Sequence, residues 1–330
     1  VTANSDGSFN GVFDFVSVSN YSGDIIASVI GRSIIADNSF LDSSAVQKTI
    51  AINPVADAPS ANSADVVASD GVEDAVIGSG KTAKIAVDAD LRDTDGSEQL
   101  SIILKLPAEV TGASFVPGNG DAVVTGTVAT DVSGFDGQRV VSFNVASGQE
   151  NSGKFEFELV MENHFSGSVS LEVVARSTDG TDIIDTNVGS HSFVIAPVAD
   201  APILEGGNVT IETGSEDGFD LSGTANPARV NLSAQYSDLS EAHKVILILD
   251  QNSKGVVYNG ATFNATNINV PANITLSGNQ KYVLIDVAPS EDGSFAGDFD
   301  VLPNDNYSGT LDVSIIARSI ESDNSFADSS

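Results

Sequence analysis

The 330-residue chain contains no cysteine and no tryptophan, and positively charged residues are scarce. The absence of cysteine excludes disulfide bonds and thiolate metal sites. Only 14 lysine and arginine residues accompany 46 aspartate and glutamate residues, so the formal net charge is −32. A chain with so little positive charge is not expected to bind nucleic acid or anionic membranes. It also has no apolar run of about 18 residues, so no membrane insertion is predicted.

Catalytic groups are sparse as well. The three histidines, His164, His191 and His243, are isolated from one another in the sequence. The chain has no Gly-x-Ser-x-Gly nucleophile elbow, no phosphate-binding loop and no His-Glu-x-x-His metal motif. Pairs of carboxylates do occur, but an acidic chain produces them by chance. We therefore expect a protein that is not an enzyme.

The composition nevertheless supports a folded protein, because 41% of the residues are hydrophobic. The negative charge is spread along the chain rather than concentrated in one block, which indicates an acidic folded surface instead of a disordered tail. Self-repulsion of this size favours either a counter-ion such as Ca²⁺ or an extended assembly that does not aggregate.

Internal repetition is the strongest signal in the sequence. The residues Asn-Tyr-Ser-Gly at 20–23 return as His-Phe-Ser-Gly at 164–167 and as Asn-Tyr-Ser-Gly at 306–309. A proline-flanked segment, Pro-Val-Ala-Asp-Ala-Pro, occupies 54–59 and recurs at 197–202. Successive copies lie 142–144 residues apart, which is the length of a domain and too long for a solenoid repeat.

The phase of the repeat predicts three domains, of which only the middle one is complete. Residues 1–54 are the C-terminal part of one repeat, 55–199 form a complete repeat, and 200–330 form a third repeat without its last strand. The third copy has no counterpart of segment 45–53, which has the pattern of a strand. We expect the chain to be a window from a longer protein. An alternative is that another copy of the chain fills the open edge by strand addition.

Hydrophobic periodicity predicts β-strands throughout. Segments 155–160, 169–173 and 311–315 alternate apolar and polar residues. Segments 102–106 and 245–249 are continuous apolar runs, which are typical of buried strands. Many short strands in a domain of this length indicate an all-β chain of tandem antiparallel β-sandwiches, Ig-like or cadherin-like. The core candidates are Phe155, Phe157 and Phe193.

Acidic turn residues recur with the same period and are candidate metal ligands. The densest group is Asp-Thr-Asp-Gly-Ser-Glu at 93–98, where alternating carboxylates could converge on one Ca²⁺ ion, without the spacing of an EF-hand. Together with a linker carboxylate and an early Glu-Asp pair, such a loop would suit a cation at the domain junction. The predicted ligands are Asp57, Glu73, Asp74, Asp93, Asp95 and Glu98 in the complete repeat, and Asp200, Glu216, Asp217, Asp238 and Glu241 in the third.

Two observations weigh against this metal site. Aspartate and glycine are also the residues that β-turns require, so the same positions could be solvated turns. In the third repeat Tyr236 replaces Asp93 and Leu239 replaces Gly96, which predicts an altered or weaker site there.

Other recurring charges have a structural interpretation. Arg32, Arg176 and Arg318 each follow an apolar strand, and each is expected to form an ion pair with a neighbouring aspartate. The acidic turns at 179–182 and 323–328 could supply cation ligands or be plain loops, and the interpretation as loops is favoured.

The combination of these motifs resembles the tandem domains of very large RTX adhesins. The resemblance is carried by residues 72–74, 93–102, 165–167, 176–180 and the linker 198–202. RTX adhesins are type 1-secreted surface proteins of Gram-negative bacteria that act in cell adhesion and biofilms. The resemblance implies a β-sandwich extender, rigidified by Ca²⁺, that holds a terminal ligand-binding module away from the bacterial cell surface. Its partners would be the neighbouring repeats of the same chain.

Two other functions remain open on the sequence. A self-assembling extracellular filament or sheath would use strand addition between copies of the chain. A glycan- or protein-binding module would instead present an exposed patch in one repeat only. Tyr258 and Tyr282, which are unique to the third repeat, are the residues that hint at such a patch.

Overall fold

The computed structural model describes residues 3–93, 96–116, 124–145, 154–204, 206–218 and 225–330. Over these ranges the chain consists of β-strands joined by turns, without an α-helix, and 3₁₀ helices occur at Ser63–Asp65, Gly206–Asn208 and Glu216–Gly218. No helix in these ranges is long and apolar enough to cross a bilayer. The all-β prediction is confirmed.

The chain divides into two compact units, each packed mainly against itself. The first unit comprises Val1–Gly71, Ala75–Glu162 and Ser168–Val194, and the second comprises Val72–Asp74, Asn163–Gly167 and Ile195–Ser330. Segments 72–74 and 163–167 therefore belong to the second unit, although their neighbours in sequence belong to the first.

The first four strands form two small antiparallel pairs. They are β1 (Gly23–Val29), β2 (Arg32–Ile34), β3 (Phe40–Asp42) and β4 (Val46–Ile52). Strand β1 pairs with β4, and β2 pairs with β3. Strand β4 lies within segment 45–53, so the prediction of a strand there is confirmed. Most side chains of these four strands are exposed.

Two five-stranded sheets form a sandwich that lies in the first unit except for the strand-end residues Val72, Gly167, Ile195 and Ala196. Its strands are β5 (Val66–Ser69), β6 (Gly71–Val72), β7 (Lys84–Asp88), β8 (Glu98–Lys105), β9 (Val110–Val116), β10 (Val124–Gly126), β11 (Val140–Asn144), β12 (Lys154–Met161), β13 (Gly167–Asp179) and β14 (Asp182–Ala196). One sheet has the order β10–β9–β12–β7–β5 and the other β11–β8–β13–β14–β6. The rings of Phe143 on β11 and Phe157 on β12 lie 4.8 Å apart, so side chains of the two sheets meet in one core. Phe155, Phe157 and Phe193 are buried as predicted.

The second unit is a sandwich of a five-stranded and a four-stranded sheet. Its strands are β15 (Val209–Glu212), β16 (Ala228–Gln235), β17 (Ala242–Leu249), β18 (Ser253–Tyr258), β19 (Ala261–Asn264), β20 (Lys281–Val287), β21 (Ser294–Pro303), β22 (Val313–Ile320) and β23 (Phe326–Asp328). The sheet orders are β15–β16–β21–β18–β19 and β20–β17–β22–β23. One core cluster joins both sheets, with Leu232 and Phe299 from the first and Leu247 and Ile285 from the second. The predicted β-sandwich fold is thus present in both units.

Strand β17 explains the continuous apolar run at 245–249. Val245, Leu247 and Leu249 face the main core, while Ile246 and Ile248 pack in a second cluster on the other face of the sheet. Because both faces of this central strand are covered, every position in the run is apolar.

Tyr258 and Tyr282 of the third repeat do not form an exposed patch. Tyr282 is buried, and its hydroxyl donates to the carbonyl oxygens of Ile268 at 3.0 Å and Asn269 at 2.7 Å. The ring of Tyr258 stacks on the core residue Phe299, with ring centroids 4.8 Å apart. The interpretation of Tyr258 and Tyr282 as a recognition patch was wrong, because both side chains serve the core.

The repeated turn has the same backbone conformation in its three copies. Asn20, His164 and Asn306 have φ values of 62°, 57° and 57°. This left-handed region is costly for most side chains but is tolerated by asparagine and, less often, by histidine. The glycine three residues later also has a positive φ in each copy. The backbone conformation of the turn therefore accounts for the first and last residues of the motif.

The three recurring arginines form the expected ion pairs. Each lies on a strand whose hairpin partner presents an aspartate, and the pairs are Arg32–Asp42 at 2.7 Å, Arg176–Asp185 at 2.7 Å and Arg318–Asp328 at 2.5 Å. Two nitrogens of each guanidinium donate to the two carboxylate oxygens. The turn at 323–328, interpreted as a plain loop, therefore contributes a structural carboxylate.

Candidate metal centre

Three carboxylates converge at one end of the second unit. Asp238, Glu241 and Glu321 each place an oxygen within 4.8 Å of the others. Their relative exposures are only 4%, 6% and 6%. Because burying like charges together is unfavourable without a counter-charge, this group, called here the oxygen cluster, is a candidate cation site.

The register of two strands brings the glutamates of the oxygen cluster together. Strands β17 and β22 are antiparallel, and Ala242 at the start of β17 lies opposite Ile320 at the end of β22. Glu241 precedes Ala242 and Glu321 follows Ile320, so both glutamates lie at the same edge of the sheet. Asp238 joins them from the turn before β17.

Backbone hydrogen bonds satisfy only one oxygen of each glutamate. Glu241 Oε1 accepts the backbone N–H of Asp200 at 2.9 Å, and Glu321 Oε2 accepts the N–H of Ser322 at 3.0 Å. Glu241 Oε2 and Glu321 Oε1 are buried and accept no hydrogen bond of normal geometry from the described residues. Buried carboxylate oxygens without donors are suitable ligands for a hard cation.

A fourth buried carboxylate lies beside the oxygen cluster. Glu73 is 3% exposed, and its Oε2 accepts the N–H of Val198 at 3.0 Å. Its Oε1 has no hydrogen-bond partner among the described residues. Glu73, His164 and Asp238 also form a group whose ligand atoms all lie within 4.8 Å of one another. Asp238 thus belongs to both groups.

A histidine stands between two further predicted ligands. His164 Nδ1 lies 3.2 Å from Asp74 Oδ2 and 3.2 Å from Asp200 Oδ2. The backbone N–H of His164 donates to Asp74 Oδ1 at 3.0 Å, and the hydroxyl of Ser237 donates to Asp200 Oδ2 at 3.2 Å. All these residues belong to the second unit.

Burial and mutual repulsion hinder ionisation of the glutamates. Burial is the main cause that raises the pKa of Glu241, and the charges of Asp238 and Glu321 raise it further. Burial likewise raises the pKa of Glu73, and the charges of Glu321, Asp238 and Asp74 add to it. The backbone N–H groups that bond these glutamates, and the Ser319 hydroxyl near Glu241, act in the opposite direction. A bound cation would favour the ionised forms.

The first unit repeats part of this arrangement, because Glu98 and Asp179 occupy the repeat positions of Glu241 and Glu321. Asp93, Glu98 and Asp179 are buried, and Glu98 and Asp179 are directly opposite each other on β8 and β13. Glu98 accepts a hydrogen bond from the backbone N–H of Asp57, as Glu241 does from the corresponding linker residue of the next copy. Burial, followed by the charges of Asp93 and Asp57, raises the pKa of Glu98.

The structure does not gather every predicted ligand. Asp95 lies outside the described residues. Glu216 and Asp217 lie on the 3₁₀ turn Glu216–Gly218, where Glu216 is exposed. Among the described residues, Glu216 belongs to none of the metal-ligand groups.

Sequence reasoning missed Glu321 and His164 as ligands, and it favoured a plain loop over a cation ligand at Asp179. Asp179 and Glu321 each lie three residues after a recurring arginine and share the repeat offset, and that signal could have identified them. The interpretation of 179–182 as a plain loop is wrong for Asp179, which is buried opposite Glu98. His164 carries no repeat signal, because asparagine replaces it in the other copies.

The donors of the oxygen cluster fit calcium. Ca²⁺ binds about six to eight oxygen atoms and prefers carboxylates, backbone carbonyls and water. Asp238, Glu241 and Glu321 supply three carboxylates, of which two glutamate oxygens are buried and accept no hydrogen bond of normal geometry from the described residues. The group contains neither nitrogen nor sulfur ligands.

No protein-family model matches the chain, and no curated protein matches it. Solved structures to which it is similar include the C-terminal domain of the Streptococcus agalactiae antigen I/II polypeptide BspA, at 9% identity and a TM-score of 0.27 over 80% of this chain and 98% of that one. The C-terminal domain of the Streptococcus pyogenes antigen I/II-family protein AspA shows 8% identity and a TM-score of 0.29 over 94% of this chain and 98% of that one.

Domains D2 and D3 of the major pilin SpaD from Corynebacterium diphtheriae show 12% identity and a TM-score of 0.27, covering 80% of this chain and 81% of that one. At such identities and TM-scores the similarity supplies no functional argument.

Proposed function

We propose that the chain is a non-enzymatic extender segment of a large bacterial surface adhesin, stiffened by Ca²⁺ at its buried acidic groups. The observation that carries the proposal is the repetition of the same arrangement. In each unit a glutamate before or at the start of a central strand accepts the N–H of a linker aspartate and lies beside a second carboxylate from the neighbouring strand.

Calcium would act as a cross-link between segments that are distant in sequence. The oxygen cluster draws on the turn at Asp238, on Glu241 before β17 and on Glu321 after β22. Asp200, in the linker motif, contacts the same cluster because its backbone N–H donates to Glu241. An ion that binds these groups would fix the linker relative to the strands that follow it.

An extracellular location suits this use of calcium. Extracellular Ca²⁺-binding modules have dissociation constants of about 10⁻⁴–10⁻³ M, which match the concentration outside cells rather than in the cytosol. The net charge of −32 suits a spacer that must not aggregate with its neighbours. The proposed role of this segment is to extend the adhesin away from the cell, rather than catalysis or recognition.

Removal of Ca²⁺ tests the proposal. A ligand at 100 times its dissociation constant stabilises a protein by about 2.7 kcal/mol, so chelation should lower the melting temperature by about 5–10 °C. Small-angle scattering should at the same time show a wider distribution of conformations. Mg²⁺ at equal concentration serves as the control, because its octahedral geometry and firmly held waters suit this cluster poorly. Equal melting and equal scattering with and without Ca²⁺ would refute the cation mechanism.

A further inference from the structure

We infer that His164 is the nitrogen ligand of a transition-metal site of the zinc class, with Asp74 and Asp200 as its carboxylate ligands. This site lies beside the oxygen cluster and differs from it in chemistry. The inference does not depend on the adhesin function, because it concerns only the donor atoms of the second unit.

The spacing of the three donors suits a small metal ion. His164 Nδ1 is 3.2 Å from one oxygen of Asp74 and 3.2 Å from one oxygen of Asp200. Ligands with bonds of about 2.1 Å around a tetrahedral Zn²⁺ ion are separated from one another by about 3.4 Å. Nδ1 itself is inaccessible to solvent, although about a third of the imidazole side chain is exposed. The nitrogen therefore faces the carboxylates and not the solvent.

A buried oxygen without a partner points to the same place. Glu73 is 3% exposed, and its Oε1 accepts no hydrogen bond from the described residues. This glutamate is grouped with His164 and Asp238, with all ligand atoms within 4.8 Å of one another. Four carboxylates thus surround one imidazole, and one of them keeps an oxygen that no other described residue satisfies. An isolated surface ion pair would not explain that oxygen.

The identity of the donor selects the class of ion. Ca²⁺ is a hard cation that takes oxygen ligands, whereas imidazole nitrogen suits Zn²⁺, Cu²⁺ and Ni²⁺. His164 therefore adds to the oxygen-rich region a donor that favours a transition metal. Asp238 is grouped both with His164 and with the oxygen cluster, so the two ions would be close neighbours.

The repeat shows that the fold itself does not require histidine at this position. Asn20 and Asn306 occupy the equivalent place with the same left-handed backbone, at φ 62° and 57° against 57° for His164. Asparagine thus serves the turn in the other two copies. The imidazole is a local addition, and it occurs where two aspartates and a buried glutamate meet it.

The matched test is zinc titration of the wild-type chain and the His164→Asn variant by calorimetry, in saturating Ca²⁺. Because asparagine is native to this turn, the variant should fold normally. We expect the wild type to bind one Zn²⁺ in its second unit and the variant to bind it more than tenfold more weakly, since even loss of an outer-shell partner weakens metal binding about 10–100-fold. His191→Asn, in the first unit, should bind Zn²⁺ as the wild type does.

Three results would overturn the inference. The first is Zn²⁺ affinity that is equal in the wild type and His164→Asn. The second is Zn²⁺ that binds only where Ca²⁺ is absent, because the oxygen cluster alone would then account for it. The third is the absence of Zn²⁺ binding to the wild type. A lower melting temperature of metal-free His164→Asn would then show that His164 serves only as an ion-pair partner of Asp74 and Asp200. Calcium titration of His164→Asn separates this outcome from a failure of the calcium proposal, since its oxygen cluster is intact.

Discussion

Replacement of Glu241 by glutamine is expected to have opposite effects with and without calcium. The buried carboxylates of Asp238, Glu241 and Glu321 lie within 4.8 Å of one another. Two unit charges at that distance repel each other by about 3.5 kcal/mol at an effective dielectric constant of about 20. Glutamine is isosteric, keeps an acceptor for the N–H of Asp200 and removes one charge of three. In chelator we therefore expect Glu241→Gln to be more stable than the wild type by about 1–2 kcal/mol, because proton uptake already relieves part of the repulsion.

With calcium the order should reverse. If wild-type protein at 100 times its dissociation constant gains about 2.7 kcal/mol, a variant that binds about 100-fold more weakly gains only about 0.4 kcal/mol. Urea unfolding of both proteins, in chelator and in Ca²⁺, measures these four free energies. Glu216→Gln is the control, because Glu216 is exposed and lies outside the cluster. Destabilisation of Glu241→Gln in chelator, together with a gain from Ca²⁺ equal to that of the wild type, would contradict this prediction.

Two further predictions follow from the buried charges. In chelator, the second unit should be more stable near pH 5 than at pH 7. Glu73 and Glu241 have raised pKa values in the folded state, so their protonated forms favour folding. This contribution to stability is lost as pH rises through the raised pKa values. Calorimetric scans check it, and a steady loss of stability from pH 7 to pH 5 would contradict it. Arg318→Ala should cost about 3 kcal/mol because its ion pair with Asp328 is largely buried, whereas Arg32→Ala, at an exposed pair, should cost less than about 1 kcal/mol. Equal losses of unfolding free energy in Arg318→Ala and Arg32→Ala, measured by urea unfolding, would show that burial does not set the strength of these ion pairs.

Much of the fold could be predicted from the sequence because its signals are local. The continuous apolar run at 245–249 requires a strand covered on both faces, and β17 is such a strand. The recurring arginines require a nearby anion, and each hairpin supplies one. The segment 155–160 alternates apolar and polar residues because one face of strand β12 meets the core. This alternation is also a local signal.

The site could be predicted only in part, because it depends on strand register. Asp238 and Glu241 lie three residues apart and are identifiable as a pair. Glu321 lies 80 residues further along the chain and reaches them only because β22 pairs with β17 at Ala242 opposite Ile320. The replacement by Tyr236 predicts a weaker site, yet that tyrosine is buried in the core and the carboxylates still converge.

Local sequence signals likewise do not show whether a single aromatic residue is exposed or buried. Tyr282 is predicted equally well as a surface ligand or as a core residue until its hydroxyl partners are known. In the structure two backbone carbonyl oxygens, of Ile268 and Asn269, satisfy that hydroxyl, so the ring can be buried.

A crystal structure of the chain grown with calcium, with anomalous scattering used to locate the ion, tests the calcium site most directly. We predict a Ca²⁺ ion about 2.3–2.6 Å from carboxylate oxygens of Asp238, Glu241 and Glu321. The two glutamate oxygens that lack a donor among the described residues should be among its ligands. A well-ordered oxygen cluster that holds no ion at a calcium concentration typical of the extracellular medium would contradict the account.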